Sequence, residues 1–245
     1  MHQFFVRPEQ ISENRIIITG EDVNHIKNVL RMKVGDEIAV SNGIDGKEYR
    51  CGILAMKDEI VCELRFIKED GVELPCKVTL FQGLPKADKM ELIIQKTVEL
   101  GVSEIVPVSM GRCVVKLDAK KQQAKLQRFR GIAESAAKQS KRRIIPEIKE
   151  VMTMKEACQY ASTMDVVLVP YELAGDMQAT KQIISSIQAG QSVGFFIGPE
   201  GGFEEKEIAM AMASGAKIIT LGKRILRTET AGLTVMSILM YHLEA

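Results

Sequence analysis

Hydrophobic and polar positions follow two different patterns along the chain, and the change falls near residue 72. The first 70 residues contain short apolar runs separated by turn-forming residues, which is typical of β-strands. The predicted strands are QFFV, RIII, EIAVSN, KEYRCGIL and IVCELRFI. One helix interrupts them, because Val23, Ile26 and Val29 recur at helical spacing before Arg31. The pattern predicts a small β-barrel domain over residues 1–72.

From residue 73 onward, strand-like runs alternate with amphipathic helices. The predicted strands are KVTLFQGL, SEIVPVS, IIPEI, DVVLVP, QSVGFFIG and AKIITLG. Helical faces cover residues 90–98, residues 126–136 and, at the end of the chain, about residues 230–243. Alternation of this kind predicts an α/β domain over residues 73–245, with a mainly parallel sheet and helices on both faces.

Composition narrows the classes of protein and site. At 245 residues and 46% hydrophobic content, the chain can form one large or two modest domains with a real core. Its longest apolar runs are far below the roughly 20 residues that cross a bilayer, and its N-terminus lacks the apolar region of a signal peptide. We therefore expect a cytoplasmic protein with no membrane partner. The five cysteines and three histidines show no CxxC or HExxH spacing, so neither a metal site nor a disulfide framework is expected.

The net charge of +1 hides a basic segment in the middle of the chain. Between residues 112 and 143 there are 11 basic and 2 acidic residues, a net charge of +9. The basic residues are Arg112, Lys116, Lys120, Lys121, Lys125, Arg128, Arg130, Lys138, Lys141, Arg142 and Arg143. Such a density attracts polyanions, so nucleic acid is the expected partner. The alternative is an ordinary solvated helix face.

The stretch FFIGPEGGF indicates a ligand-binding loop. An apolar strand ends there in Gly198, Pro199, Glu200, Gly201 and Gly202. In an open parallel sheet, ligands bind beyond the carboxyl ends of the strands, and glycines leave backbone groups accessible to them. The loop lacks the residues of a P-loop, and a glutamate suits a hydroxyl, an amine or a positive charge better than a phosphate. A tight connection without a ligand is the alternative.

Two further strand ends carry similar signals. The segment TLGKRILRTETAG contains a glycine, apolar residues and charged residues before the last helix, and VLVPYELAG contributes an acid. The candidate ligand-binding residues in these segments are Glu172, Gly222, Ile225 and Leu226. Arg227 and Glu229 lie beside them, and Thr228 is also a candidate helix cap. Together the three loops suit a flat apolar ring with a hydroxylated, cationic tail.

Several motifs resemble one known family over nearly the whole chain. They are HIKNVLRMKVGDEI, KMELIIQKTVELGV, AESAAKQSKRRIIP, GPEGGF and LGKRILRTETA. With these motifs the chain closely resembles the ribosomal RNA small-subunit methyltransferase E family, which belongs to the SPOUT class. The resemblance implies a PUA-like barrel over residues 1–72 and a SPOUT (α/β knot) domain over residues 73–245 with a C-terminal trefoil knot. It also implies a homodimer that methylates N3 of a uridine in 16S rRNA with S-adenosylmethionine.

The family's site residues can be transferred onto matching positions. The implied cofactor-binding residues are Glu172, Gly198, Pro199, Glu200, Gly201, Gly202, Leu221, Gly222, Ile225 and Leu226. We expect Arg227 to stabilise the negative charge that develops on the uridine ring. Glu229 or Glu200 is expected to act as the general base or to orient the reacting groups. A purely structural pairing of Arg227 with a carboxylate is the alternative. The expected RNA-binding residues are Arg7, Arg31, Gln139, Arg142 and Arg143.

Other functions stay open at this point. A SPOUT enzyme that modifies a different RNA nucleoside would use the same parts, and a ribosome-assembly factor could bind RNA without chemistry. A phosphate-binding α/β enzyme is disfavoured, because the glycine loop is acidic and lacks lysine. The expected partner is small-subunit rRNA, either free or within the assembled subunit.

Overall fold

The computed structural model divides the chain into two compact units. It describes residues 1–69, 71–86, 88–115, 119–172 and 176–244, with the side chains of 119–121 outside the description. Unit 1 comprises Met1–Glu73 and Ala137–Ile145, and unit 2 comprises Leu74–Ala136 and Pro146–Ala245. The segment Ala137–Ile145, which the sequence assigns to the second domain, thus belongs to unit 1.

Unit 1 is built on a five-stranded sheet. Its strands are β1 (Gln3–Phe5), β2 (Arg15–Ile18), β3 (Glu37–Ser41), β4 (Glu48–Met56) and β5 (Ile60–Lys68). All five predicted strands are confirmed. The order is β1-β3-β4-β5-β2, with β1 parallel to β3 and the other pairs antiparallel. Since β1 and β2 are the two ends of this order, closure into a barrel stays a prediction. A 3-10 helix, Pro8–Gln10, follows β1.

The predicted helix of unit 1 is present, but it changes type. Helix α1 (Glu21–Asn24) continues as a π-helix over His25–Val29, with the Leu30 N–H bonded to His25 O at 2.9 Å. The wider π turn shifts the buried face along the sequence. Ile26 is therefore fully buried, whereas Val29 is 61% exposed, contrary to the periodicity.

Unit 2 contains a seven-stranded parallel sheet, which confirms the predicted α/β class. The strands are β6 (Lys77–Gly83), β7 (Glu104–Ser109), β8 (Glu147–Ile148), β9 (Met152–Thr153), β10 (Val166–Pro170), β11 (Ser192–Ile197) and β12 (Lys217–Ile219). Their order is β12-β10-β11-β6-β7-β8, with β9 also paired to β7. Every pairing is parallel, so the carboxyl ends of the strands lie at one edge of the sheet.

Helices cover both faces of this sheet. They are α2 (Lys89–Glu99), α3 (Ala119–Gln139), α4 (Met154–Ala161), α5 (Met177–Ser185), α6 (Glu205–Ala213) and α7 (Thr228–Glu244). Helices α4 and α6 share one buried cluster with Phe81 and Phe196 of the strands. On the opposite face, Gly232 of α7 lies against Gln82 and Ile197, and α2 packs against α7.

None of the helices in the described part of the chain is long and apolar enough to cross a membrane. Across the same residues, no group of three or more histidine, cysteine, aspartate or glutamate side chains is arranged to hold a metal ion.

Candidate functional site

The loops that carry the predicted cofactor-binding residues leave the carboxyl edge of the sheet side by side. The strand order places β10 between β12 and β11, so the loops after these three strands are neighbours. Strand β6 flanks β11 on its other side, with Gln82 opposite Ile197. The fold therefore brings together the three segments that the sequence singles out.

The glycine loop, residues 198–202, lies close to the end of β6. A Cβ atom on Gly83 would lie 2.6 Å from Pro199 Cδ and 2.7 Å from Pro199 N, so only glycine permits this approach. Gly202 has a φ of +68° and donates its N–H to Pro199 O at 2.9 Å, which closes the turn. A Cβ atom on Gly202 would meet no atom within 4 Å, so the loop leaves open space there.

The carboxylate of Glu200 lies at the start of α2. It accepts a hydrogen bond from the Lys86 N–H at 3.0 Å and forms an ion pair with Lys89 Nζ at 3.0 Å. Burial alone would raise the pKa of Glu200, but hydrogen bonds from its own N–H, from Lys89 and from the Lys86 N–H lower this pKa below its ordinary value. The ionised carboxylate thereby anchors the glycine loop.

Glu229, in the first turn of α7, lies on the other side of the same lysine. Lys89 Nζ is 3.5 Å from Glu229 Oε2, which is an ion-pair distance but too long for a good hydrogen bond. Within the described residues, this buried oxygen has no hydrogen-bond donor. The pKa of Lys89 is raised, chiefly by its hydrogen bond to Glu200. Two carboxylates thus share one ammonium group, which leaves one net negative charge.

The first residue of α7 joins the glycine loop to β6. Thr228 Oγ1 donates a hydrogen bond to Gly198 O at 2.7 Å and accepts one from Gln82 Nε2 at 2.9 Å. The hydroxyl that the sequence suggests as a helix cap is therefore bound to the glycine loop instead. Gln82 is fully buried, so its amide fixes the spacing between the end of β6 and the start of α7.

Arg227 directly precedes this helix and is exposed. Its carbonyl oxygen accepts the Ala231 N–H at 2.8 Å, which fixes its backbone in the first turn of α7. In the part of the chain that the structure describes, no hydrogen bond or ion pair engages its guanidinium group. The structural pairing that was the alternative for Arg227 is therefore not seen there, and the side chain is accessible to a ligand.

The loop after β12 is anchored at its start and open at its end. The Thr220 N–H donates to a threonine hydroxyl of α5 at 3.0 Å, and the Gly222 N–H donates to Thr220 Oγ1 at 3.2 Å. Gly222 has a φ of +108°, and an added Cβ atom there would meet nothing within 4 Å. Leu221 and Leu226 are half-buried, whereas Ile225 is 85% exposed and offers its apolar side chain to a ligand.

The loop after β10 supplies Glu172, which is exposed. Residues 173–175 of this predicted cofactor loop lie outside the described residues. The Tyr171 N–H donates to Ile219 O at 3.0 Å. A backbone hydrogen bond therefore joins the start of the loop after β10 to the end of β12.

The loop after β7 also contacts the glycine loop, although its residues were not identified as site residues from the sequence. Arg112 Nη1 donates to Gly201 O at 2.9 Å, and the Gly111 N–H donates to Glu207 Oε1 at 2.8 Å. Lys89 was missed as well. Its signal was its place in KMELIIQKTVELGV, one of the motifs that carry the family resemblance. Motif membership alone does not show which residues of a helix face the site.

The structure buries two of the five predicted RNA-binding residues in unit 1. Arg142 and Arg143 are 3% and 1% exposed. Arg142 Nε donates to Glu73 Oε2 at 2.9 Å, and Arg143 Nη2 lies 3.4 Å from Glu48 Oε2. Buried charges are costly unless they are paired, so these arginines serve to hold residues 137–145 within unit 1. Their burial argues against direct contact with RNA, and their role as RNA-binding residues stays a prediction.

The other three predicted RNA-binding residues, Arg7, Arg31 and Gln139, are exposed on unit 1. Arg31 follows the π-helix with a φ of +53°, a left-handed conformation that is uncommon for residues other than glycine. Their accessibility is compatible with contact to a polyanion, and that contact stays a prediction.

Much of the basic segment is neutralised by acids from elsewhere in the sequence. The ion pairs are Arg128 with Glu91 at 2.7 Å, Arg130 with Glu150 at 3.0 Å and Lys138 with Asp22 at 3.3 Å. Lys116 and the side chains of Lys120 and Lys121 lie outside the described residues. The alternative of a solvated helix face therefore describes α3 better than a continuous phosphate-binding patch.

Two family models match the chain over ranges that do not overlap. A model of the RNA methyltransferase domain matches residues 72–240, and a model of the RNA methyltransferase PUA domain matches residues 18–65. The chain is 39% identical to ribosomal RNA small subunit methyltransferase E of Bacillus subtilis over 251 residues, which covers 100% of this chain and 98% of that protein.

Two solved structures are similar over nearly their whole length. One is a Legionella pneumophila protein in complex with SAM, which is 30% identical with a TM-score of 0.85 and covers 98% of this chain and 96% of that chain. The other is a ribosomal RNA small subunit methyltransferase E from Neisseria gonorrhoeae bound to S-adenosyl methionine, which is 29% identical with a TM-score of 0.83. That match covers 98% of this chain and 97% of the other.

Proposed function

Because the chain belongs to the ribosomal RNA small subunit methyltransferase E family, we propose that it transfers a methyl group from S-adenosylmethionine to N3 of a specific uridine in 16S rRNA. The observation that carries this proposal is the meeting of three loops at one sheet edge, where Lys89 pairs with one carboxylate of the glycine loop and with another at the start of α7. The exposed side chains of Ile225 and Arg227 lie between β12 and α7.

The residues at the sheet edge fit S-adenosylmethionine, which joins a flat ring to a hydroxylated, cationic tail. Gly202 and Gly222 leave space against the backbone, Ile225 offers apolar surface, and the two carboxylates together with Lys89 carry one net negative charge. We infer that the cofactor contacts are made by Glu172, Gly198, Pro199, Glu200, Gly201, Gly202, Leu221, Gly222, Ile225 and Leu226.

Arg227 is the proposed catalytic residue. S-adenosylmethionine supplies an already activated methyl group when bound, so the protein mainly positions the reactants. Neutral uridine is a poor nucleophile at N3, and loss of the N3 proton places negative charge on the flanking carbonyl oxygens. The guanidinium of Arg227 is exposed one residue before Thr228, which is bonded to the glycine loop. Its planar set of N–H donors suits this delocalised charge.

Of the two acidic candidates, Glu200 is the better orienter and Glu229 the better base. The lowered pKa of Glu200 makes its carboxylate a weak proton acceptor, and its hydrogen bonds already hold the glycine loop. Glu229 Oε2 has only the ion-pair contact with Lys89 among the described residues. Glu229 therefore keeps an acceptor capacity that no hydrogen bond among the described residues uses.

The proposed partner is small-subunit rRNA, free or within the assembled subunit. N3 of uridine is occupied in a base pair, so the target must be unpaired or flipped out. Arg7, Arg31 and Gln139 are proposed to contact this RNA, since all three are exposed. If arginine contacts to phosphate dominate, the affinity for RNA falls steeply with salt.

The SPOUT arrangement, with a C-terminal trefoil knot, a homodimer and a cytoplasmic location, is part of the same proposal. The insertion of β11 between β10 and β6 and the bond from Thr228 to Gly198 support a threaded C-terminal segment. Leu92 of α2 and Ile238 and Tyr241 of α7 are exposed at 43%, 36% and 78% on two helices that pack together. Exposed apolar side chains of this kind suit burial against a second copy. Sedimentation equilibrium measures that association.

Labelled-methyl transfer tests the function. Small subunits and free 16S rRNA from cells lacking this protein are incubated with the chain and S-adenosylmethionine that carries a labelled methyl group. Nuclease digestion and mass spectrometry then locate the label. The expected product is 3-methyluridine at one position. Label on another nucleoside would show that uridine N3 is not the methylated atom. RNA binding without incorporation of label would favour an assembly factor without catalytic activity.

A further inference from the structure

Lys89 forms ion pairs with two carboxylates that belong to two different elements of unit 2. It is the first residue of α2, and its ammonium group contacts Glu200 of the glycine loop at 3.0 Å and Glu229 of α7 at 3.5 Å. The three side chains are only 28%, 27% and 17% exposed. We call this arrangement the Lys89 bridge. It connects three elements that are far apart in the sequence.

We propose that Lys89 is a positioning residue whose bridge holds the glycine loop and the start of α7 in their binding geometry before S-adenosylmethionine enters. The inference rests on the proposed function, because it assigns a role in the same cofactor site. It adds a residue from α2, which supplies none of the cofactor contacts proposed above.

The charge balance explains why the bridge matters. Without the ammonium group, two partly buried carboxylates would face each other with no neutralising charge. Glu229 Oε2 has no hydrogen-bond donor among the described residues, so Lys89 is the partner that compensates its burial there. We therefore expect removal of Lys89 either to protonate one carboxylate or to displace it, and in both cases the glycine loop loses its fixed position.

The bridge also leaves a signature in the pH dependence of binding. Burial alone would raise the pKa of Glu200, and the hydrogen bonds from its own N–H, from Lys89 and from the Lys86 N–H lower it. Loss of Lys89 removes one of the lowering contacts, so the pKa of Glu200 rises. Binding of S-adenosylmethionine depends on the ionised carboxylate. On acidification, a variant that lacks Lys89 therefore loses this affinity at a higher pH than wild type. A residue that only stabilises the fold would not move this limb.

The variants are Lys89→Met, Lys89→Arg and Glu200→Gln, with Lys96→Met as the matched control. Lys96 lies on the same helix but pairs with Glu99, at 2.8 Å. Hydrogen exchange is measured without S-adenosylmethionine at the Gly202 N–H, which bonds Pro199 O, and at the Lys86 N–H, which bonds Glu200. Calorimetry measures binding of S-adenosylmethionine between pH 5 and 8.

We expect Lys89→Met to speed exchange at both amides and to weaken S-adenosylmethionine binding by about tenfold, or about 1.4 kcal/mol. Its acid limb moves to higher pH, Lys89→Arg recovers most of the affinity, and the control behaves as wild type. Because the two groups act as a pair, combining Lys89→Met with Glu200→Gln should cost little more than the single changes.

The outcomes separate this inference from the proposed function. Unchanged exchange at both amides and an unmoved acid limb in Lys89→Met would overturn the bridge. An equal effect of Lys96→Met would do the same, since it would reveal a general requirement for charge on α2. If the wild-type protein binds no S-adenosylmethionine but Lys89→Met still speeds exchange at the two amides, the bridge stands and the proposed cofactor fails.

Discussion

Arg227→Ala separates chemistry from cofactor binding. The guanidinium is exposed and has no hydrogen bond or ion pair within the described residues, so its removal breaks no intramolecular contact seen there. A surface substitution of this kind changes the free energy of unfolding by about 0.5 kcal/mol or less. The backbone hydrogen bond from the Ala231 N–H to the carbonyl of residue 227 is retained, because alanine supplies the same carbonyl. The first turn of α7 should therefore stay in place.

The expected loss of activity follows from the role of the lost group. Removal of one preorganised donor to a developing oxyanion costs about 100-fold to 1,000-fold in kcat, or about 2.7–4 kcal/mol. Arg227 is exposed to water in this structure, so we expect the lower end, about 100-fold. Binding of S-adenosylmethionine should change by no more than about threefold, because Arg227 is not among the proposed cofactor contacts. Arg227→Lys keeps the charge but not the planar donors, so it should recover activity only in part.

Steady-state methyl transfer to small subunits measures kcat, single-turnover transfer measures the rate constant of the chemical step, and calorimetry measures the dissociation constant for S-adenosylmethionine. Thermal unfolding of each variant controls for stability. A parallel loss of cofactor affinity and turnover would show that Arg227 shapes the cofactor site and does not act on the base. Full activity of Arg227→Ala would refute the catalytic role entirely.

Three other substitutions test the packing of the glycine loop, a buried ion pair and a carboxylate that accepts hydrogen bonds. Gly83→Ala would press a methyl group against the backbone at Pro199, so we expect about 1–3 kcal/mol of destabilisation in urea unfolding. Binding of S-adenosylmethionine should also weaken. Unchanged stability and binding would mean that the glycine loop can move away from Gly83. Arg143→Met removes the guanidinium that lies 3.4 Å from the Glu48 carboxylate and donates to Lys68 O, while Arg50 still pairs with Glu48, so we expect a loss of about 1–3 kcal/mol of stability; unchanged stability with weaker RNA binding would restore Arg143 to the RNA surface. Hydrogen bonds lower the pKa of Asp165, so its contribution to stability is present above its ordinary pKa of 3.8 and is lost as the pH falls through the lower value in the folded protein. Wild type should therefore be more stable than Asp165→Asn at pH 7, and the difference should shrink as the pH falls below 3.8; a difference independent of pH would exclude this account.

Local periodicity was a good guide to the elements, because burial of one face repeats every 2 or 3.6 residues along a strand or helix. The buried face of α2, with Met90, Ile94 and Val98, is the one that the sequence predicts. Val29 is the counterexample, since a π turn changes the number of residues per turn and no local pattern announced it. Strand order was not available either. Nothing in the sequence of β11 says that it lies between β10 and β6.

Charge was the poorer guide, because the partner of a charged residue is chosen by the fold. The arginines of the basic segment looked unneutralised, yet Arg128 pairs with Glu91 and Arg142 with Glu73, 37 and 69 positions away. The arginines were assigned a role that their ion pairs do not favour, whereas Lys89 was not identified as a site residue although it contacts both candidate acids.

The sequence by itself determined the α/β class, most of the strands, helices α2, α3 and α7, the glycine loop and the family, since each of these is written in residues that are neighbours along the chain or in motifs that stay together. The tertiary structure alone decided which charges are buried, which loops meet and which lysine bridges Glu200 and Glu229. Those properties depend on distances between segments far apart in the sequence, and Coulomb and hydrogen-bond energies depend on such distances in space.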